Sequence, residues 1–125
     1  MKKVINTEAA PKAIGPYSQA IEAGNTLYIS GQIPINPSSG KIETFEIAGQ
    51  TEQVMKNVGA ILSAAGYGFE NVVKSTCLLS DISNFSAMNE VYAKYYPQNP
   101  PARAAFAVKD LPLGALIEIE TIAVK

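Results

Sequence analysis

Histidine is absent from this 125-residue chain, which contains a single cysteine, Cys77. Without histidine, the common zinc sites and the Ser-His or Cys-His nucleophile pairs cannot be assembled. A lone cysteine cannot form a disulfide within the chain, and Cys77 stands in an apolar stretch that is typical of a core strand. Any proton transfer must therefore use carboxylates, tyrosines, lysines or water, and we expect no metal site.

Long apolar runs and clusters of one charge are also missing. No stretch reaches the roughly 18 apolar residues of a membrane helix, and the first residues lack the apolar segment of a signal peptide. The net charge is −1, and the lysines are scattered from Lys2 to Lys125. No basic stripe is available to neutralise a phosphate backbone. We therefore expect a cytoplasmic protein that binds neither membranes nor nucleic acid.

What the chain has in excess is apolar side chains. Apolar residues make up 47% of the sequence and charged residues only 17%. This balance is apolar-rich for a globular protein, and the length suits one domain that spans residues 1–125. Because apolar surface that a domain cannot bury is usually covered by a partner, we expect a subunit interface.

Glycine and proline divide the chain into short ordered segments. Gly24 and Asn25 predict a tight turn between two strands, Gly66 ends a first helix, Ser83 can cap a second helix, and Pro97 ends it. The resulting order is ββαβαββ, and a further short strand fits at the N terminus. We expect an α+β fold with two helices on one face of a mostly antiparallel or mixed sheet. The predicted strands are 17–23, 26–30, 71–79, 103–108 and 116–124, and the predicted helices are 46–65 and about 83–96.

Arg103 is the only arginine among ten basic residues. A guanidinium binds a carboxylate with a planar fork of donors, which lysine cannot offer, although a chance surface arginine is the plain alternative. Glu118 and Glu120 alternate on one strand face, roughly 6 to 7 Å apart. They are either the wet side of a strand or carboxylates that hold or activate a water. A short connection predicts that their strand pairs with the Arg103 strand, with the register left open.

Several separated motifs resemble one protein family. They are Ala-Ile-Gly-Pro-Tyr-Ser-Gln at 13–19, Ser-Gly-Gln-Ile-Pro at 30–34, Asp-Ile at 81–82 with Phe85, Asn89 and Tyr92, Pro-Ala-Arg-Ala-Ala-Phe at 101–106, Leu-Pro at 111–112 and Ile-Glu-Ile-Glu at 117–120. Together they cover nearly the whole chain in the right order. The sequence is similar to the reactive intermediate deaminases, the RidA or YjgF family.

The resemblance implies a chorismate-mutase-like subunit that forms a homotrimer with ligand sites between neighbouring subunits. It also implies hydrolysis of 2-imino acids and their enamine tautomers, such as 2-iminobutanoate and 2-iminopropanoate, to 2-oxo acids and ammonia. These imines are released by pyridoxal-phosphate-dependent dehydratases, so the resemblance implies a functional link to such enzymes. The reaction in the family needs no cofactor.

The resemblance also implies roles for particular residues. Arg103 matches the anchor for the substrate carboxylate, and Glu118 matches the residue that orients the attacking water. Ala105 stands where many members carry a cysteine, at a position that contributes its backbone amide to the carboxylate. The remaining expected substrate-binding residues are Tyr17, Ser30, Gly31 and Asn89.

Two other functions compete with hydrolysis. The first is a trimer that binds small oxo or imino acids without turnover, as a regulator or chaperone-like protein; it would need Arg103 but gain nothing from Glu118. The second is an endoribonuclease or translation inhibitor, a label that some relatives carry. One arginine, no histidine and a net charge of −1 argue against RNA cleavage.

Overall fold

Two helices pack on one side of a six-stranded sheet in the computed structural model, which describes residues 1–125. The helices are α1 (Ile47–Ala64) and α2 (Phe85–Ala93), and none is long and apolar enough to span a membrane. Strands β4 and β5 form a separate small hairpin. In chain order, the strands β1 to β8 are Lys2–Ile5, Ala20–Ala23, Thr26–Gln32, Ile35–Asn36, Lys41–Ile42, Val72–Leu79, Ala102–Ala107 and Ile117–Val124.

The large sheet is mixed, as the sequence predicts. Its strand order is β1-β2-β3-β8-β6-β7, and only β6 and β7 run parallel. The expected element order and the extra N-terminal strand are both present. Helix α1 ends where predicted, because Gly66 adopts a φ of +79° that lets the amides of Gly66 and Tyr67 donate to the carbonyls of Ser63 and Leu62.

The predicted pairing of the Arg103 strand with the Glu118 strand is wrong. Strand β7 pairs in parallel with β6, and β8 lies on the other side of β6, between β6 and β3. The reason is that β6, α2 and β7 form a crossover unit, which returns the chain parallel to β6 at the sheet edge. Closeness in sequence does not place β7 beside β8.

Two local predictions also need correction. The first hairpin strand begins at Ala20 and not at residue 17, because the Gln19 side chain binds the N-terminal loop: its amide nitrogen donates to the carbonyls of Thr7 and Pro11 at 3.0 and 2.8 Å. The residue that caps the turn before α2 is Asp81 and not Ser83. The Asp81 carboxylate accepts from the Ser83 amide at 2.9 Å, and a 3-10 turn over Ile82–Asn84 precedes the helix.

The strand register assigns each residue to one face of the sheet. The helix face is buried beneath α1 and α2 and contains fully buried residues such as Leu79 and Ile117. One row across this face is Ile5, Ala20, Ile29, Thr121, Ser75 and Arg103. The adjacent row points away from the helices to the open face and contains Val4, Ile21, Tyr28, Ile122, Lys74 and Ala102.

Cys77 lies in the core, as its sequence context predicts. Its side chain is fully buried on the helix face of β6. Burial raises the pKa of the Cys77 thiol to about 11. The thiol is therefore protonated at neutral pH and is a packing group, not a nucleophile.

Candidate active site in two halves

Arg103 extends from the edge strand β7 toward helix α2. Its Nη1 donates to Oδ1 of Asn89 at 2.7 Å. The central carbon of the guanidinium lies 5.4 Å from the ring centroid of Phe85 and 5.0 Å from that of Tyr92. Both distances are within the range of cation–π attraction. The side chain is thus held from one helix.

A cavity of about 450 Å³ lies beside this arginine. We call it the arginine half-site; it is lined by Asn89, Tyr92, Ala93, Tyr96, Pro100, Pro101 and Arg103. Because only one of the five N–H donors of Arg103 has a protein acceptor in the hydrogen-bond network, the guanidinium can still receive an anion. The half-site has the chemistry of a carboxylate anchor.

A second cavity, of about 700 Å³, lies on another part of the protein. We call it the carboxylate half-site. Apart from the polar residues Lys12, Gln19, Gln32 and Glu120, it is lined by Pro11, Ile14, Ile33, Ile35, Pro112 and Leu113 and by four of the predicted site residues, Tyr17, Ser30, Gly31 and Glu118.

The Glu118 carboxylate packs directly against Gly31. The register between β3 and β8 shifts between Ile29 and Gln32, so that Ser30 and Gly31 together oppose one residue of β8 and form a bulge. A Cβ atom on residue 31 would overlap Oε2 of Glu118 and lie 2.9 Å from its Cδ. Glycine at this bulge is therefore what leaves room for the Glu118 carboxylate.

Glu118 titrates above its usual range. Burial raises the pKa of this carboxyl group, and the nearby Glu120 carboxylate raises it further. A raised pKa brings the group closer to the neutral range, where a carboxyl group exchanges protons more effectively. No group of three or more His, Cys, Asp or Glu side chains is arranged to hold a metal ion.

Tyr17 and Ser30 reach the same cavity by different means. The Ser30 hydroxyl donates to the Ser18 carbonyl at 2.6 Å, and the Ser30 amide donates to the Gln19 carbonyl at 3.0 Å. These bonds tie the loop that carries Tyr17, whose side chain is 53% exposed, to the bulge of β3. Ser30 therefore holds the rim of the cavity in place.

The predicted site residues fall into two groups that do not meet within the protomer. Arg103 and Ala105 are on the helix face of β7, where Asn89 joins them, whereas Glu118 is on the open face of β8. Strand β6 separates the two strands. The resemblance placed Asn89 in contact with the ligand; in the structure its side-chain oxygen binds Arg103.

Sequence reasoning missed three contributors to these half-sites. Phe85 and Tyr92 were named as part of a family motif but were given no role at the site, yet both rings face Arg103. Gln19 was also named only as part of a motif, although a buried glutamine needs partners and this one fixes the loop next to Tyr17. The helical spacing of Phe85, Asn89 and Tyr92 was the available signal for the first two.

Comparison with known proteins identifies the family. Residues 7–125 match the family model described as endoribonuclease L-PSP. The human protein named 2-iminobutanoate/2-iminopropanoate deaminase is 51% identical over 125 residues, which cover 100% of this chain and 91% of that protein. The chain therefore belongs to the L-PSP family, which is the RidA/YjgF family that its motifs resemble.

Two solved structures support the same assignment. A Yersinia pestis protein, described as a member of the conserved Rid protein family, is 48% identical, with a TM-score of 0.97 and coverage of 100% of both chains. The Escherichia coli protein TdcF, solved with bound serine, is 37% identical, with a TM-score of 0.94 and coverage of 98% of each chain. The α+β architecture seen here is thus that of known Rid proteins.

Proposed function

We propose that this protein hydrolyses reactive 2-imino acids and their enamine tautomers, such as 2-iminobutanoate and 2-iminopropanoate, to 2-oxo acids and ammonia. The observation that carries the proposal is the pair of half-sites: a clamped arginine that can bind a carboxylate, and a carboxyl group of raised pKa packed on Gly31. The name of the human relative gives the same substrate class.

The complete site forms between neighbouring subunits of a homotrimer. Arg103 and Glu118 are on opposite faces of one sheet, so a ligand that touches both must lie between two copies of the chain. The open face supports this arrangement, because it presents the exposed side chains of Val4, Tyr28 and Phe106. In this proposal the subunit, residues 1–125, is a single chorismate-mutase-like domain, and its open face lies in the trimer interior.

Arg103 binds the substrate carboxylate with its free donors. A charge-assisted, bidentate pair fixes the position of the adjacent C2 carbon and of its C=N bond. The backbone amide of Ala105, two residues along the same edge strand, adds a second contact to the carboxylate. Asn89 contributes by holding Arg103.

Glu118 of the neighbouring subunit orients a water and moves its proton. The water oxygen adds to C2 of the protonated imine while the carboxylate accepts a proton from the water, which gives a tetrahedral carbinolamine. Return of that proton to the nitrogen makes it a leaving group. The C2–N bond then breaks as the hydroxyl group gives its proton to the carboxylate, so that ammonia leaves and the 2-oxo acid remains. Substrate and water supply every atom and no electron is transferred, so the reaction needs no cofactor. Tyr17 and Ser30 shape the rim at which the water enters.

The proposed reaction indicates which enzymes provide the substrate. Pyridoxal-phosphate-dependent dehydratases release the enamines that this site would consume, so we propose a functional link to such enzymes in the cytoplasm. The link requires no stable complex, because the enamine diffuses and tautomerises to the imine.

A coupled assay tests the proposed activity. A threonine dehydratase generates 2-iminobutanoate in place, and formation of 2-oxobutanoate is followed with and without this protein. We expect the wild-type protein to accelerate the hydrolytic phase in proportion to its concentration. No acceleration over the uncatalysed rate, at any protein concentration, would overturn the enzymatic proposal.

Binding without turnover is the alternative that shares most of these features. A binding protein needs the arginine half-site as much as an enzyme does. It gains nothing from Glu118, because a carboxylate close to a bound anion repels it. Retention of 2-oxobutanoate binding together with loss of turnover in Glu118→Gln would favour the enzyme. If wild type and Glu118→Gln bind 2-oxobutanoate equally well and neither shows turnover, binding without turnover would be favoured.

A further inference from the structure

Three side chains of helix α2 converge on the single arginine. Phe85, Asn89 and Tyr92 are four and three residues apart, so they lie on one face of the helix. Each of them touches the Arg103 guanidinium, two through their rings and one through a hydrogen bond of 2.7 Å. This convergence is more than the packing of a helix face requires.

The acceptor that fixes the guanidinium is neutral. An aspartate at position 89 could accept the same hydrogen bond, but it would neutralise Arg103 and repel an incoming carboxylate. The asparagine fixes one N–H of the arginine and leaves its positive charge and its remaining donors for a ligand. The amide therefore suits an arginine that must be oriented yet remain free to bind an anion.

Tyr92 is itself held by other aromatic rings. It is almost fully buried, and its ring centroid lies 4.9 Å from that of Tyr96. Tyr96 in turn meets Phe69 edge-on at 5.6 Å. A Cβ on Gly59 of helix α1 would lie 3.0 Å from the Phe69 ring, so Phe69 packs closely against that helix. The surface beneath Arg103 is thus supported from α2 through to α1.

We propose that Phe85, Asn89 and Tyr92 are positioning residues that form a clamp around Arg103 and preset it to receive the carboxylate of the substrate. The clamp acts through Arg103 and not on the reacting atoms. An arginine on a flexible stem loses rotamer freedom when it binds an anion. In a clamp that freedom is already lost when the protein folds, so anion binding does not have to offset it. This inference rests on the function proposed above. It explains the affinity of the site for the substrate carboxylate by the fixed position of Arg103.

Product binding tests the clamp separately from turnover. Calorimetry gives the Kd of 2-oxobutanoate for wild type, Tyr92→Leu, Tyr92→Phe and the control Tyr95→Leu, which removes a neighbouring ring that does not contact Arg103. We expect Tyr92→Leu to weaken binding about 3- to 30-fold, the range of a partly desolvated cation–π contact. Tyr92→Phe keeps the ring and should recover most of that loss, and Tyr95→Leu should stay within about twofold.

Position 89 provides the sharper comparison. Asn89→Ala removes the orienting bond, whereas Asn89→Asp keeps an acceptor and adds a charge. We expect Asn89→Asp to weaken 2-oxobutanoate binding more than Asn89→Ala, by about tenfold or more between the two. A residue with only a structural role predicts the reverse order, because Asp is nearly isosteric with Asn. In turnover, KM should rise in Tyr92→Leu while kcat changes by less than about threefold.

The outcomes separate the clamp from the proposed activity. Circular dichroism and sedimentation are used to check that each variant folds and assembles like wild type. The clamp is overturned if Tyr92→Leu and Tyr92→Phe lose equal affinity, if Asn89→Asp binds as well as Asn89→Ala, or if wild type does not bind 2-oxobutanoate. Binding that follows the expected order without any turnover would support the clamp and reject the hydrolase.

Discussion

The arginine half-site and the carboxylate half-site are held in different ways. In the first, Arg103 is fixed by side chains of one helix, backed by a buried aromatic group. In the second, Glu118 packs on a backbone bulge and is surrounded by loops, with Tyr17 more than half exposed. These surroundings suit the roles proposed above: a fixed positive charge in the arginine half-site and a group that changes its protonation state in the carboxylate half-site.

In the proposed function, the two half-sites separate binding of the substrate from proton transfer. A fixed cation needs rigid neighbours and no competing anion. Helix α2 provides Phe85, Asn89 and Tyr92 as neighbours, and the acceptor among them, Asn89, is neutral. A proton-transferring carboxyl group needs partial burial to raise its pKa and space for water, which the open cavity at Gly31 supplies. Separate faces of the sheet meet these conflicting requirements, and in the proposed trimer neighbouring subunits bring the two half-sites together.

Loss of the Glu118 charge should have the largest effect. We expect Glu118→Gln to reduce kcat by about 10²- to 10⁴-fold, because the water loses its base. Binding of 2-oxobutanoate should be unchanged or tighter, since a repelling carboxylate is removed. Steady-state kinetics and calorimetry on the same preparation measure both. Glu120→Gln is the matched control, and an equal loss of kcat in that variant would contradict a specific role for Glu118.

Loss of the Arg103 side chain should disable the arginine half-site. Arg103→Ala should cost about 2 to 5 kcal/mol in kcat/KM, since the carboxylate anchor is absent in both the ground state and the transition state. Arg103→Lys should restore little, because an ammonium group lacks the planar fork. The matched control is Lys41→Ala on the exposed hairpin strand β5. Recovery of wild-type kcat/KM in Arg103→Lys would show that charge alone suffices.

A methyl group at position 31 should disturb the carboxylate half-site selectively. In Gly31→Ala the new Cβ displaces Glu118. A shift of about 1 Å in a catalytic group can cost about 10²-fold, so we expect kcat to fall by about that factor. Binding of 2-oxobutanoate should fall much less, because Arg103 is untouched. A crystal structure of the variant with Glu118 in its original place, together with normal kcat, would refute this explanation.

The pH dependence of kcat should show a smaller effect, which comes from the carboxylate half-site. Burial and Glu120 both raise the pKa of Glu118, so the acidic limb of kcat should lie above the range of an ordinary glutamate. Glu120→Gln removes the second cause and should move that limb to lower pH. A pH profile of kcat for both proteins measures the shift; identical acidic limbs would contradict it.

The smallest expected effect is on stability. A carboxyl group whose pKa is higher in the folded protein binds its proton more tightly there than in the unfolded chain. Its ionised form therefore costs stability, and that cost appears as the pH rises from the unfolded pKa through the raised folded pKa. Glu118→Gln should raise the free energy of unfolding at pH 7 and leave it nearly unchanged at pH 4. Denaturant titrations at the two pH values test this; equal gains would contradict it.

Much of this fold could be predicted from the sequence, because the patterns that indicate its helices and strands lie within short segments. The apolar spacing of α1 and the glycine that ends it are encoded within a few turns. The two glutamates of β8 face one side, as alternation requires. The motifs that resemble the Rid proteins led to the family.

What the sequence did not supply depends on contacts between distant segments. The position of β7 depends on the crossover through α2, and the short connection from β7 to β8 favoured the wrong neighbour. The faces of Arg103 and Glu118 follow from that register, so their separation could not be deduced either. The contacts of Phe85 and Tyr92 with Arg103 join α2 to β7, two elements whose relative position follows from the tertiary fold.

Mixing two inactive variants tests the shared site most directly. Arg103→Ala and Glu118→Gln are unfolded together and refolded into mixed oligomers. If each cleft takes Arg103 from one subunit and Glu118 from its neighbour, about a quarter of the clefts in random trimers regain both residues. We predict recovery of about that share of wild-type kcat, while each variant refolded alone stays inactive. Mixed oligomers without recovered activity would contradict a site shared between subunits.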